Sequence, residues 1–341
     1  MTDPSWEALS QQAVAAAGAV YFLAMLSHLV EWSLLRKVPA SAEVARVSAG
    51  AGGAVAADEA APTAGPTSGD VDDAHERRVL MAGRLGLLLT WLGAGVHLVA
   101  LVGRGMAADP NRVPWGNMYE FTLSGTFVVA ALYLATRRRF GLGWMAPIVV
   151  STVLVLMMVA EIWLYAPVSP LTEALNSPWL VIHVVSAVIA TGAFTLGGIT
   201  SVLYLLKERA QAKHPERTTG YLARVPAPAV LDRVSYRMHA FGFPVWTFAV
   251  LITGPIWAHE AWASYWNWDP KEVWAFITWV VYAAYLHARS TAGFKGRNAA
   301  IIALVGLATL WFNFIGINFF SSSSQHSYAD ASSAVVSPLE R

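Results

Sequence analysis

The residues best suited to chemistry crowd into one stretch: Trp257-Ala-His-Glu-Ala-Trp262-Ala-Ser-Tyr265-Trp266-Asn-Trp268-Asp269-Pro270-Lys271-Glu272-Val-Trp274. Five of the chain's fifteen tryptophans and one tyrosine fall within these 18 residues. An interfacial belt is the ordinary reason for Trp in a membrane protein, but a belt spreads its aromatics over many helix ends. Several aromatic planes in one short loop suit a large, flat, apolar ligand, each ring pair adding about 0.5–1.5 kcal/mol beyond area burial. A porphyrin fits that description. Its iron would take axial ligands, for which neutral imidazole is a common choice, and the chain has nine histidines and no cysteine.

The elements that hold these residues are membrane helices. Apolar residues make up 56% of the 341 and charged residues 13%, against about 45–50% and 25% in soluble chains. A formal charge of +1 argues against a nucleic-acid partner, which calls for a basic patch. A span needs roughly 20 apolar residues. Eight such runs are read, at about 12–35, 84–104, 118–136, 143–165, 178–206, 238–257, 271–289 and 299–319. The expected fold is therefore an all-α integral membrane protein of about eight transmembrane helices. The first run, preceded by Asp3 and Glu7 rather than by basic residues, reads as a span and not as a signal peptide.

Lys and Arg set the orientation. Arg36 and Lys37, Arg77 to Arg84, Arg137 to Arg139, the cluster from Lys207 to Arg237, and Arg289 to Arg297 all fall on one side if both termini are outside. The expected organisation is an N-terminal transmembrane helix (1–38), a flexible cytoplasmic linker (39–83), a membrane domain (84–330) with the outer Trp-rich loop 257–274, and a disordered tail (331–341). The linker is rich in Ala, Gly, Pro, Ser and Thr, which cannot bury enough surface to offset ordering entropy.

On this topology the Trp loop joins spans six and seven at the outer face. Its end reads as a helix start, with Asp269 as N-cap, Pro270 at the first position and Glu272 at the third. His183, five residues into span five, and His326, after span eight, reach the same level, so a bis-imidazole site is geometrically possible. Singly, each is more often structural. His287 lies 17 residues beyond Pro270, about 26 Å down the helix. It joins His28, His97 and His239 among the histidines at depth, where an ionisable residue is a functional candidate; spacing does not choose between them. His259 is a pocket wall or a rim residue. Pro114-Trp115-Gly116-Asn117-Met118-Tyr119-Glu120 opens span three at the outer face. It reads either as interfacial anchoring or as a second pocket wall through Trp115, Asn117, Tyr119 and Glu120.

Trp262-Ala-Ser-Tyr-Trp266-Asn-Trp268-Asp-Pro-Lys-Glu272 resembles the WWD signature of heme-handling membrane proteins. The Asp-Pro-Lys-Glu ending, followed by Thr278-Trp279-Val-Val-Tyr282 and Leu286-His287-Ala-Arg289, is similar to the CcsA (ResC) family of System II cytochrome c maturation. So are Asn117-Met-Tyr119-Glu120, Tyr236 through Gly242-Phe-Pro244, Gly316-Ile-Asn318 and His326-Ser-Tyr-Ala. The resemblance covers roughly residues 84–330.

It implies a heme-handling subunit of the bacterial plasma membrane, acting with a CcsB (ResB) partner, with its site on the extracytoplasmic face. Heme b would be held by a loop comprising Trp257, Trp262, Tyr265, Trp266, Trp268, Asp269, Lys271, Glu272 and Trp274, with His183 and His326 as axial ligands. His287 would ligate heme in transit, and the opposing ligand in the family belongs to the CcsB portion, which leaves His97 and His28 open. Arg104 and Lys271 are candidate partners of the heme propionates. The implied reaction is that of a holocytochrome c synthase: heme vinyl groups take up the thiols of Cys-x-x-Cys-His in apocytochrome c. Both thiols come from the substrate, kept reduced by thiol-reducing proteins, so the synthase needs no cysteine of its own. Two competing readings are a transporter or chaperone that delivers heme without attaching it, and a heme-free scaffold with an aromatic belt.

Overall fold

A computed structural model describes residues 4–35, 68–170, 175–215, 220–291, 294–321 and 324. Its described part is built from eight long helices with no strand. They are α1 (Pro4–Leu35), α2 (Ser68–Met106), α3 (Met118–Phe140), α4 (Leu142–Leu164), α5 (Pro178–Lys213), α6 (Pro228–Trp262), α7 (Pro270–Ser290) and α8 (Arg297–Phe320). Among the described residues, seven are long and apolar enough to cross a membrane. The expected eighth span, α7, is a helix where the sequence places it, but its apolarity falls short. Trp, Tyr, His287 and Arg289 dilute its aliphatic residues, although its 21 residues have the length of a span. Helix α2 begins at Ser68, so residues 68–83 are helical where a linker is expected. The rest of that linker and the tail 331–341 lie outside the described residues.

Local chemistry sets the helix ends. Asn117 caps α3, its Oδ1 accepting from the Glu120 N–H at 2.9 Å, and Gly141 ends the helix with φ +63. Ser177 caps α5 ahead of Pro178. Asp269 and Glu272 form the capping box anticipated for α7. Three helices also contain a π-helical turn: Ala160–Leu164 in α4, Phe248–Thr253 in α6 and Phe312–Gly316 in α8.

The bundle has two halves. In one, α1 lies along α2 and against α4, and α2 packs on α3. Lipid tails are as apolar as the side chains, so close packing and polar links between helices do the joining. Ala13, Ala17 and Ala24 of α1 are buried, and Ser10 Oγ donates to the Ala100 carbonyl at 2.8 Å. At Gly103 a Cβ would come within 3.2 Å of the Trp6 oxygen and the Ser10 nitrogen, so this approach needs glycine. In the other half α5 packs on α6 and α8, with α7 between α6 and α8. Its core is aromatic: Phe194 stacks on Tyr282 at 3.8 Å, and both are fully buried. Packing of α3 on α5 joins the halves.

The Trp loop, the starts of α1, α3, α5 and α7 and the ends of α2, α4, α6 and α8 gather at one end of the bundle, through contacts given below. This is its aromatic end. Arg137–Arg139, Arg289 and the end of α5 form the basic end. At 36 residues, α5 is about 54 Å long and outruns a hydrocarbon core of roughly 30 Å.

Candidate functional site

Between α3, α4, α5, α6 and α8, roofed by the Trp loop and the start of α7, lies a chamber of about 380 Å³. Its walls are almost wholly apolar. Helix α3 contributes Asn117, Met118, Phe121, Thr122 and residues one and two turns further on, as the helical period requires. From α6 come Trp246, Val250 and Trp257, and from the loop Tyr265 and Trp266. The chamber runs from the loop down to Thr195 on α5, which is 12 residues past His183, or about 18 Å.

His183 stands in the wall. Its Nδ1 lies 2.9 Å from the Ala249 carbonyl. A carbonyl only accepts, so Nδ1 carries a proton, and in the neutral ring the lone pair is on Nε2. A histidine that binds metal is commonly held in this way through its other nitrogen. The imidazole lies nearly parallel to the Trp257 indole, 18° apart at 5.8 Å, and Trp257 is 2% exposed. Ala249 belongs to the π-turn of α6, and its carbonyl also accepts from the Gly254 N–H. A Cβ on Gly254 would sit 3.2 Å from His183 Nδ1 and Cε1; glycine here lets the ring come close.

The loop divides into lining and rim. Trp257, Tyr265, Trp266, Lys271 and Glu272 line the chamber. Trp262 packs edge-on against Trp257 at 4.9 Å, and Trp274 faces Phe312 of α8 at 4.3 Å. Trp268 is 75% exposed with φ +56, a left-handed backbone uncommon for a bulky residue. His259 stacks on Tyr265 at 4.2 Å on the exposed rim.

The Asp-Pro-Lys-Glu turn fastens elements together. Asp269 Oδ1 accepts from the Lys271 N–H at 3.0 Å and from Ser324 Oγ at 2.8 Å. Lys271 Nζ donates to Asn318 Oδ1 at 2.9 Å. Glu272 accepts from the N–H groups of Asn267 and Asp269. The start of α7 is thus tied to the end of α8.

Several expected site residues lie elsewhere. Arg104 is 1% exposed and faces protein carboxylates, not an outer surface where a propionate could reach it. Its Nε donates to Glu120 Oε1 at 2.9 Å, Nη1 lies 3.5 Å from Glu7, and Nη2 donates to the Ala166 carbonyl. Glu120, fully buried, also binds Arg112 Nη1 at 2.7 Å and the Gly116 N–H at 2.7 Å. This knot joins α1, α2, α3 and the segment after α4. Of the proposed second wall, Trp115 and Asn117 line the chamber. Tyr119 and Glu120 sit on the opposite side of α3, where Tyr119 donates to Glu161 at 3.0 Å.

His28 is buried between α1 and α2, near Glu31 and Thr90. His97 is buried between Tyr21 and Phe127. Neither lines the chamber. His287 is exposed near the end of α7, remote from His183, and His326 lies outside the described residues. Among the described residues no three His, Asp or Glu side chains converge on a metal-sized site, so an iron here would rely on its porphyrin for the remaining donors. The walls from α4 and α8, and the support given by Gly254, Asn318 and Ser324, have no signature in the sequence beyond Gly316-Ile-Asn318.

Fold and site define a multi-pass helical membrane protein with an aromatic chamber and a positioned imidazole at one end. The sequence profile described as cytochrome C assembly protein matches residues 115–324. The "Cytochrome c biogenesis protein CcsA" of Synechococcus sp. (strain JA-3-3Ab) is 32% identical over 306 residues, covering 74% of this chain and 87% of the relative. That of Gloeobacter violaceus is 32% identical over 298 residues, covering 71% and 87%. That of Chlamydomonas reinhardtii is 41% identical over 160 residues, 47% of this chain and 43% of the relative. The chain belongs to the cytochrome c assembly protein family.

Proposed function

We propose that this chain holds heme b in the chamber beneath the Trp loop and presents it for attachment to apocytochrome c. A role in cytochrome c biogenesis follows from the family; the heme site, the reaction and the partner are our reading. The observation that carries it is His183: an imidazole in the wall of an apolar, Trp-lined chamber, its Nδ1–H bound to a helix carbonyl. Heme is the substrate, and His326 is its second axial ligand. The protein's tasks are to hold the ring flat between aromatic planes, to fix the iron through replaceable imidazoles, and to keep its vinyl edge accessible. The Cys thiols of Cys-x-x-Cys-His then add across the vinyl groups, and the substrate's own histidine displaces one ligand. On this reading the aromatic end faces the extracytoplasmic side of a bacterial plasma membrane.

His287 is assigned to heme in transit. Its exposure on the surface of α7 suits a site completed by another chain, and a CcsB (ResB) partner is proposed to supply the opposing ligand. Complex formation with that partner gives the holocytochrome c synthase.

The test is spectroscopy of the purified complex. His183→Ala is expected to lose the b-type spectrum and to regain it with added imidazole; unchanged heme content would remove His183 as a ligand. The second reading, delivery without attachment, gains support from the Trp loop alone. Reconstitution with CcsB, apocytochrome c and reductant separates the two: bound heme without thioether product favours delivery.

A further inference from the structure

The chamber wall carries one buried amide with an acceptor left over. Asn313 is 7% exposed, lines the chamber, and its Oδ1 finds no hydrogen-bond donor among the described residues. Native interiors seldom leave a buried acceptor unpaired, because the desolvation cost goes uncompensated. Asn313 also sits on the π-turn Phe312–Gly316, and such turns occur often at functional sites. The π-turns of α4 and α6 border the same chamber, through Trp163 and Leu164 and through Val250. A second orphan is a donor: the Nε1–H of Trp115, another lining residue, is buried without a partner among the described residues. Phe121 of α3 meets Phe314 at 4.8 Å, which brings the start of α3 to the π-turn of α8. Lys271, a lining cation at the start of α7, is engaged by Asn318, five residues beyond Asn313 and about 7.5 Å along the helix axis.

We infer that Asn313 is the polar anchor of the chamber, taking a carboxylic acid arm of the flat substrate through its amide and so orienting the ring. The inference rests on the heme reading above. Heme carries both acid arms on one edge and both vinyl groups toward the other. A bare carboxylate in this apolar wall would be costly, so the arm enters as the neutral acid. Its O–H donates to Asn313 Oδ1, and the Trp115 indole N–H offers a donor to an acid carbonyl. With the acid edge held below Lys271, the vinyl edge turns toward the Trp loop, where thiols from outside arrive. An amide acceptor in a mostly apolar wall thereby selects the reactive orientation.

The experiment compares hemin with its dimethyl ester, which keeps the ring and the vinyl groups but has no acid O–H. Each is titrated by absorbance into the purified complex, wild type and Asn313→Leu. The wild type is expected to bind the free acid at least about tenfold more tightly, and Asn313→Leu to bind the two alike. Asn313→Gln, which keeps the amide, should retain part of the preference, and it serves if the leucine variant does not fold. Equal affinities in the wild type, or full preference retained in Asn313→Leu, would overturn the inference while leaving the heme site standing. Binding of neither compound by the wild type would overturn the heme reading as well.

Discussion

The knot around Glu120 and the chamber beneath the Trp loop share one end of the bundle and treat polar atoms in opposite ways. In the knot, a fully buried carboxylate meets two guanidinium groups and a backbone N–H, and Arg104 also reaches Glu7 and a carbonyl. Of the two guanidinium groups, Arg112 alone keeps a buried nitrogen, Nε, without a partner among the described residues. In the chamber, Asn313 Oδ1 and Trp115 Nε1 find no partner among the described residues, and His183 is fixed through Nδ1 by a helix carbonyl. A carboxylate with its oxygens taken up by protein donors suits a joint between helices, whereas an unmet acceptor in the wall of an apolar chamber suits a ligand. Arg104 and His183 therefore play different parts although both are polar groups at the same end.

The sharpest way to break this comparison is Glu120→Gln. It leaves Arg104 and Arg112 with Glu7 as the remaining carboxylate in the knot, and removing one member of a buried pair costs about 3–5 kcal/mol. A large fall in the thermal midpoint of the detergent-solubilised protein is expected; an unchanged midpoint would show the knot to be dispensable. His183→Ala should do the reverse, keeping the midpoint of the heme-free protein while heme content drops at least about tenfold. Next in size is Gly254→Ala. The added Cβ needs a few tenths of an ångström from His183 or from the Ala249 carbonyl, so a several-fold weaker heme affinity is expected in titration, with folding retained. The smallest effect belongs to Trp268→Gly. Trp268 does not line the chamber, and glycine accepts its left-handed backbone, relieving about 1 kcal/mol of strain. Heme content should stay level and the midpoint hold or rise slightly, while Trp266→Ala lowers heme content. Equal losses in the two variants would erase the division between lining and rim.

Much of this was readable beforehand. The helices announce themselves by long apolar runs, and the Asp269–Glu272 capping box is written in its residue order. The Trp loop and His183 lie side by side in the structure. The chamber's other walls were not readable, because Leu156 of α4 and Phe314 of α8 look like lipid-facing residues, and hydrocarbon and a dry cavity ask for the same side chains. Tyr119 and Glu120 seemed to belong with Trp115 and Asn117 by adjacency, but 100° per residue turns them to the other side of α3. Arg104 is adjacent to no acid in sequence; its main partner is 16 residues away. The shortfall of α7 in apolarity follows from the aromatic, His and Arg residues that make it interesting.

A π-turn is an α-helix carrying one extra residue, which makes the three turns around the chamber sensitive to a kind of mutation that point substitution does not sample. Loss of a single codon within Phe312–Gly316 would restore regular α-helix there. Everything beyond would then rotate by about 100° and draw in by about 1.5 Å. Asn318 would leave Lys271, Ser324 would leave Asp269, and the amide at position 313 would lose its place in the wall. The half of α8 that packs on α5 near the basic end would stay as it is. Length variation among relatives should therefore be tolerated in the connections between helices and purged from these short turns.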